Sequence, residues 1–443
     1  MREDKVSRNG AVLAAIVRDA VERLPAIDDP AFGAMFDRFA EVRVVLLGEA
    51  SHGTSEFYRA RAAITRRLIE RHGFTIVAAE ADWPDAASID RFVRHRSPGQ
   101  IGPAPFERFP TWMWKNTEFA AFIGWLRDHN SLLSPDRRAG FYGLDLYNLN
   151  GSIRAVIDYL DRVDPAAASV ARARYGCFAP FRDDPARYGQ LALSEGYARC
   201  EAAVAAMLTD LFAKSRDYGS VEDDDFLDAA QNARLVANAE AYYRVMYYGS
   251  TESWNLRDQH MFETLELLLA AKGEPAKAVV WAHNSHIGDA RFTEMGRERD
   301  ELNLGQLCRE KFDRDACLVG FGTHGGTVAA ATDWDAPMEV KRINPSRPDS
   351  YERVAHDTGI ANFLLDLREG RNPAARAVLM KPRLERFIGV IYRPETERWS
   401  HYSGAILPEQ FDAYVWFDQT RAVTPLSAEP GREGGEETWP FGL

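Results

Sequence analysis

Nowhere in the 443-residue chain does an apolar run reach the length needed to cross a bilayer. The nearest imitation, AVLAAIVRDAVERL near the N-terminus, is interrupted by Arg18, Asp19, Glu22 and Arg23. It reads as an amphipathic helix with Leu13, Ile16, Ala20 and Leu24 on one face, not as a signal-peptide core. Polybasic runs are absent as well: charges of both signs are interspersed and the net charge is -12. That balance argues against nucleic acid and against a membrane surface as partner. Cysteine is scarce, and Cys177, Cys200, Cys308 and Cys317 form neither a CxxC pair nor a dense cluster. No zinc site and no secreted disulfide framework is expected from them, and a reducing, cytoplasmic location follows as the expectation.

The signatures of several common enzyme classes are missing too. Without GxSxG there is no serine nucleophile elbow, and without HExxH the familiar zinc-protease pattern is gone. Gly320, Gly322 and Gly325 match GxGxxG after an apolar run, yet the continuation GTVAAATDWDAP is a poor helix. It reads as a turn into another extended segment, which removes the dinucleotide fingerprint.

What the chain does contain is core: 46% of its residues are hydrophobic. Short β-branched runs recur at 42–47, 74–80, 139–145, 277–283, 316–322, 386–392 and 413–417, separated by helical patterns. Continuous apolar runs of this length suit strands covered on both faces, so the expected class is α/β: a largely parallel central sheet flanked by helices. Residues 1–150 read as the first part of that core and 276–424 as the remainder. Between them, 151–275 lose the strand signal and form a helical insertion, a lid or wall over a cleft. Residues 425–443, rich in Gly and Glu, read as a loose tail.

In open parallel sheets ligands bind at the carboxyl ends of the strands. Here those ends carry Glu49 and His52, Glu80 and Asp82, Asp145, and His283 and His286. If the strands are neighbours, these groups converge, and burying them together is costly unless they pair or bind a ligand. Asp145 could equally cap the next helix. Thr54 or Ser55 could cap the helix SEFYRARAAITRRLIERHGF, whose buried stripe is Phe57, Ala60, Ile64 and Leu68. Arg61 lies about two turns into it and leans back toward the loop. There it could pair with Glu49 or Glu80 or neutralise an anionic intermediate.

The segments GEASHGTSEFYRARAAITRRLIERHGFTIVAAEADW, FPTWMWKN, GFYGLDLYNL, YYRVMYYGSTESWNLRDQHM, VVWAHNSHIGDA and SHYSGAILPEQFDAYVWFD together resemble the erythromycin esterase family, over roughly residues 35–420. The resemblance implies an active site between an α/β core and a helical subdomain. Its general-base histidine falls on His52, its acidic residues on Glu49 and Glu80, its arginine on Arg61, and its later histidines on His283 and His286. The implied reaction is hydrolysis of a macrolide lactone by histidine-activated water, with no covalent acyl-enzyme and no required cofactor. A small macrolide or related ester is the implied partner. Trp114, Asp145, Tyr247 and Arg257 are the expected substrate-binding residues, and Asp258 is a secondary candidate. Two alternatives stand beside this reading. One is a hydrolase that uses a divalent metal held by His52, Glu80, His283 and His286, since these ligand types suit zinc or manganese. The other is a non-catalytic biosynthetic accessory protein.

Overall fold

The computed structural model describes residues 2–96, 105–182, 184–194, 199–214, 224–247 and 249–426. Most of the expected loose tail, from residue 427 on, lies outside them. The strands are β1 (Glu22–Arg23), β2 (Val44–Leu47), β3 (Ile76–Asp82), β4 (Gly140–Asp145), β5 (Ala278–Trp281), β6 (Ala316–Ala330), β7 (Glu339–Ile343), β8 (Asn362–Asp366), β9 (Arg383–Arg386), β10 (Tyr402–Ala405) and β11 (Ala413–Thr420). One nine-stranded sheet runs β1-β8-β11-β6-β2-β5-β3-β4, with β7 pairing β6, and β9 and β10 form a separate pair. The six strands from β11 to β4 are parallel. Antiparallel β8, β1 and β7 are attached at the margins. The fold is thus α/β, as the run pattern indicates.

Period-two alternation explains why the central strands read as unbroken apolar runs. Along β2, Val44 and Leu46 enter the core on one face of the sheet, and Val45 and Leu47 that on the other. From Leu149 to Lys272 every described element is helical. The last of these helices, Ser250–Lys272, packs against β4 and β3 and brings its own charged residues to the sheet. Among the described residues no helix is long and apolar enough to cross a membrane.

Three expectations are corrected. The run 386–392 is not a sheet strand: β9 ends at Arg386, and Ile388 and Ile391 make only single bridges, to Ser51 and Ala331. It is apolar because it is buried behind the loop that follows β2. The GTVAAA segment does not turn; it continues β6 to Ala330. Finally, Cys177 and Cys200 form a disulfide, with Cα atoms 5.9 Å apart. Their 23-residue separation is closed by helical packing that local spacing does not reveal, and the pairing removes the cysteine argument for a reducing compartment.

Candidate active site

Strands β2, β5, β3 and β4 lie side by side, so the residues after their carboxyl ends must meet. The chain leaves β2 through Gly48, whose missing Cβ would fall 2.1 Å from Asn284 Oδ1, and turns at Gly53, where a Cβ would fall 1.9 Å from the Ala329 carbonyl. Between these two tight contacts sit Glu49 and His52, both buried. The following helix, Ser55–His72, has Thr54 at its N-cap position, but the Thr54 hydroxyl bonds Ser51 Oγ instead of capping. Its stripe of Phe57, Ala60, Ile64 and Leu68 is buried as expected.

Glu49 organises the first half of the site. Its Oε1 lies 3.0 Å from His52 Nδ1, and its Oε2 lies 2.6 Å from Arg61 Nη2. A carboxylate only accepts, so His52 Nδ1 donates to Glu49, and Nε2 lies 4.0 Å from Glu80 Oε1. Arg61 is fully buried, its guanidinium over the rings of Tyr58 at 4.6 Å and Trp281 at 5.0 Å. Packed behind Glu49 in this way it is out of reach of a ligand beyond the carboxylate. Its arrangement suits pairing with Glu49, not meeting an anionic intermediate.

Glu80 organises the second half. Its Oε1 accepts from Arg257 Nη2 at 2.8 Å and lies 3.3 Å from His286 Nε2, while its Oε2 accepts the backbone N–H of His283 at 2.8 Å. Arg257 also forks onto Asp145, from Nε at 3.0 Å and from Nη2 at 2.6 Å. His286 Nδ1 lies 2.9 Å from both Asp258 oxygens, and its ring stacks on Trp254 at 4.6 Å. His283 differs in kind. Its Nδ1 accepts from the Ser285 backbone N–H at 3.3 Å and faces Ser285 Oγ at 2.9 Å. The ring proton therefore belongs on Nε2, and the ring centroid is 4.8 Å from that of His52.

Burial opposes charge at each of these groups, and the neighbours decide the outcome. At Glu80 burial is overcome by His286, His52 and Arg257, which hold the carboxyl well below its usual range. At His286 it is overcome by Asp258 and Glu80, which raise the ring to about 9. Arg257 Nη1 lies 3.1 Å from His286 Nε2, a contact that as a hydrogen bond would need the neutral ring. The charge balance favours the cation: Glu49, Glu80, Asp145 and Asp258 face only two guanidiniums. At His283 burial and the adjacent His52 both act against protonation and keep the ring neutral. Burial also pushes Asp82, beside the cluster, up to about 7.

The structure therefore brings together Glu49, His52, Arg61, Glu80, Asp145, Arg257, His283 and His286. Two expected residues lie elsewhere. The Trp114 ring packs in the core among Tyr58, Phe106 and Phe119, and Tyr247 sits in the helical segment with its hydroxyl accepting from Gln190. Asp145 does not cap the next helix; Asn148 does. Sequence reasoning missed Tyr58, Trp281 and Ser285 as members of the site. Tyr58 precedes Arg61 by one helical turn, a spacing that could have paired them. Asp258 gives no local signal, because its partner is 28 residues away.

The alternative metal set, His52, Glu80, His283 and His286, comes together but not in an arrangement that holds a metal. Among the described residues no group of three or more His, Cys, Asp or Glu side chains is arranged to hold a metal ion. The Arg257 guanidinium occupies the middle of the carboxylates, and His283 Nδ1 and His286 Nδ1 are both engaged with protein groups.

Comparison with known proteins places this geometry among relatives. The sequence profile of the erythromycin esterase family matches residues 69–420, a span that begins after Glu49, His52 and Arg61. Erythromycin esterase type I of Escherichia coli is 23% identical over 364 residues, covering 75% of this chain and 84% of its own length. The type II enzyme of the same organism is 21% identical over 377 residues, covering 81% and 87%. Among solved structures, a succinoglycan biosynthesis protein superposes with a TM-score of 0.74 at 21% identity, over 94% of this chain and 98% of its own. An erythromycin esterase mutant in its open conformation gives 0.67 at 18%, over 90% and 96%. At these identities the structural likeness speaks to the fold alone.

Proposed function

We propose that this chain, which belongs to the erythromycin esterase family, is a carboxylic ester hydrolase that opens a macrolide lactone with water activated by His52. The observation that carries the reading is the Glu49–His52 pair: Glu49 fixes the Nδ1–H tautomer and leaves the Nε2 lone pair facing Glu80 across 4.0 Å. A water bound there loses a proton to Nε2 as its oxygen attacks the carbonyl carbon. Glu49, held by Arg61, stabilises the imidazolium that forms. The neutral His283 Nε2–H and the Arg257 guanidinium supply the donors for the oxyanion. The charged His286 returns a proton to the leaving alkoxide as the C–O bond breaks, and the proton on His52 resets the site. No covalent acyl-enzyme is required, and support for this comes from the buried hydroxyls at hand. Ser51 and Thr54 are engaged with each other. Metal-free chemistry is supported by the guanidinium among the carboxylates, a position in which a divalent cation would be repelled.

A panel of macrolides of different ring sizes, analysed by mass spectrometry for the gain of one water, tests the substrate. Wild-type protein is expected to hydrate at least one of them, and His52→Ala to do so about a hundred- to ten-thousand-fold more slowly with unchanged circular dichroism. A folded His52→Ala that keeps its rate removes the histidine from the role. Hydration of no macrolide removes that substrate class, and inactivation by a chelator, reversed by one metal, removes the metal-free mechanism.

A further inference from the structure

The ladder between β2 and β6 stops one residue early. Leu47 pairs with Val319, and Gly48 donates its N–H to the Val319 carbonyl at 2.9 Å. In continuous parallel register Glu49 would pair next with Phe321. Instead the chain leaves the sheet, and both backbone groups of Phe321 would be orphaned in the interior. They are met by one side chain. Asn284 Oδ1 accepts from the Phe321 N–H at 3.2 Å, and Asn284 Nδ2 donates to the Phe321 carbonyl at 2.7 Å. A side-chain amide thus stands where a peptide group of β2 would have been. The Asn284 backbone N–H, in turn, donates to the Glu49 carbonyl at 2.8 Å. The second Nδ2 hydrogen faces Glu385 Oε1 at 3.3 Å, which prevents the amide from flipping. Asn284 and Glu385 are fully buried.

We propose that Asn284 is a positioning residue of the hydrolytic site: its amide, oriented by Glu385, replaces the missing peptide beside Phe321 and so fixes Glu49 and His52 off the sheet at reacting distance. This rests on the reading of Glu49 and His52 as the water-activating pair. Asn284 touches no reacting atom; it acts through the Glu49 backbone. Burial and the nearby Glu352 push the Glu385 carboxyl up, in keeping with a dry pocket that punishes a second negative charge.

Asn284→Asp keeps the shape, loses the donor to the Phe321 carbonyl and adds a charge beside Glu385. A displacement of about 1 Å at the reacting groups costs roughly a hundred-fold, so kcat is expected to fall by about that factor with KM little changed. Activity should return as the pH is lowered, because the introduced carboxyl, once protonated, regains one O–H donor. It should also return by about ten-fold in the exchange variant Asn284→Asp/Glu385→Gln, where the amide sits on the other partner. A second readout is independent of turnover: the downfield imidazole N–H proton resonance of His52, identified by its absence in His52→Ala. It should be lost in Asn284→Asp and restored in the exchange variant. Should Asn284→Asp fail to fold, Glu385→Ala, which frees the amide to turn, takes its place with the same expected kcat loss. Unchanged kcat and resonance overturn the proposal, as does a loss that neither acid nor the exchange variant repairs. If the wild type hydrolyses no ester while Asn284→Asp still loses the resonance, the positioning role stands and the esterase reading falls.

Discussion

His286 is the residue on which the charge balance of the site turns. Four buried carboxylates meet two guanidiniums, and the third positive charge is an imidazolium held by Asp258 and Glu80 and raised to about 9. A histidine raised above its unfolded value of roughly 6.5 contributes stability that is fully present below that value and is lost as pH rises through about 9. The denaturation midpoint is therefore expected to fall between about pH 6.5 and about pH 9, with a loss on the order of a few kcal/mol. In Asp258→Asn, which removes the partner that holds the charge, this alkaline limb should move to lower pH. Turnover should show the same limb if His286 protonates the leaving group. Equal urea midpoints across that range, in wild type and variant alike, would remove the imidazolium from the site. None of this was legible locally. His283 and His286 share a spacing that suggests one shared role, yet burial and His52 keep the first neutral and Asp258 keeps the second charged.

At the scale of elements, the loop from Gly48 to Thr54 is held like a strand without being one. The Ile388 N–H bonds the Ala50 carbonyl at 2.8 Å, the His52 N–H reaches the Ile388 carbonyl at 3.3 Å, and the Ala329 and Val423 N–H groups both bond the Gly53 carbonyl at 3.0 Å. Gly53 is therefore pressed against β6, and a Cβ there meets the Ala329 backbone. Gly53→Ala is expected to cost about 1–3 kcal/mol by forcing the loop away from β6, and to lower turnover more than it lowers the melting temperature. Thermal melts and rates on the same preparation decide this, and a variant with the wild-type rate would show that the loop position is not set at Gly53. Sequence reading found the strand ends here because apolar runs broken by Gly and charged residues are a local signal. It mistook 386–392 for a strand because burial against a loop and burial in a sheet give the same apolar run.

For the molecule as a whole, the helical segment is stapled by Cys177–Cys200, which ties the short turn Gly176–Phe181 to the start of helix Glu201–Ala213. Closing a loop of this size in the unfolded chain is worth about 3 kcal/mol on a chain-entropy account. Reduction by a dithiol should lower the urea midpoint by the corresponding amount, and Cys177→Ser should show the lowered midpoint without reductant. Identical midpoints in oxidised, reduced and mutant protein would dismiss the staple. The α/β class, the strand-end positions of Glu49, Glu80, Asp145, His283 and His286, and the length of helix that carries Arg61 are legible in the chain alone, because periodicity and chain direction are local properties. The partners come from the packing of distant elements: Arg61 behind Glu49, Arg257 between Glu80 and Asp145, Asp258 on His286, Asn284 on Phe321 and Cys177 on Cys200. Each of those pairings joins residues from different elements, and in a buried site it is the neighbour's charge and donor capacity, not the residue's own identity, that sets protonation and role.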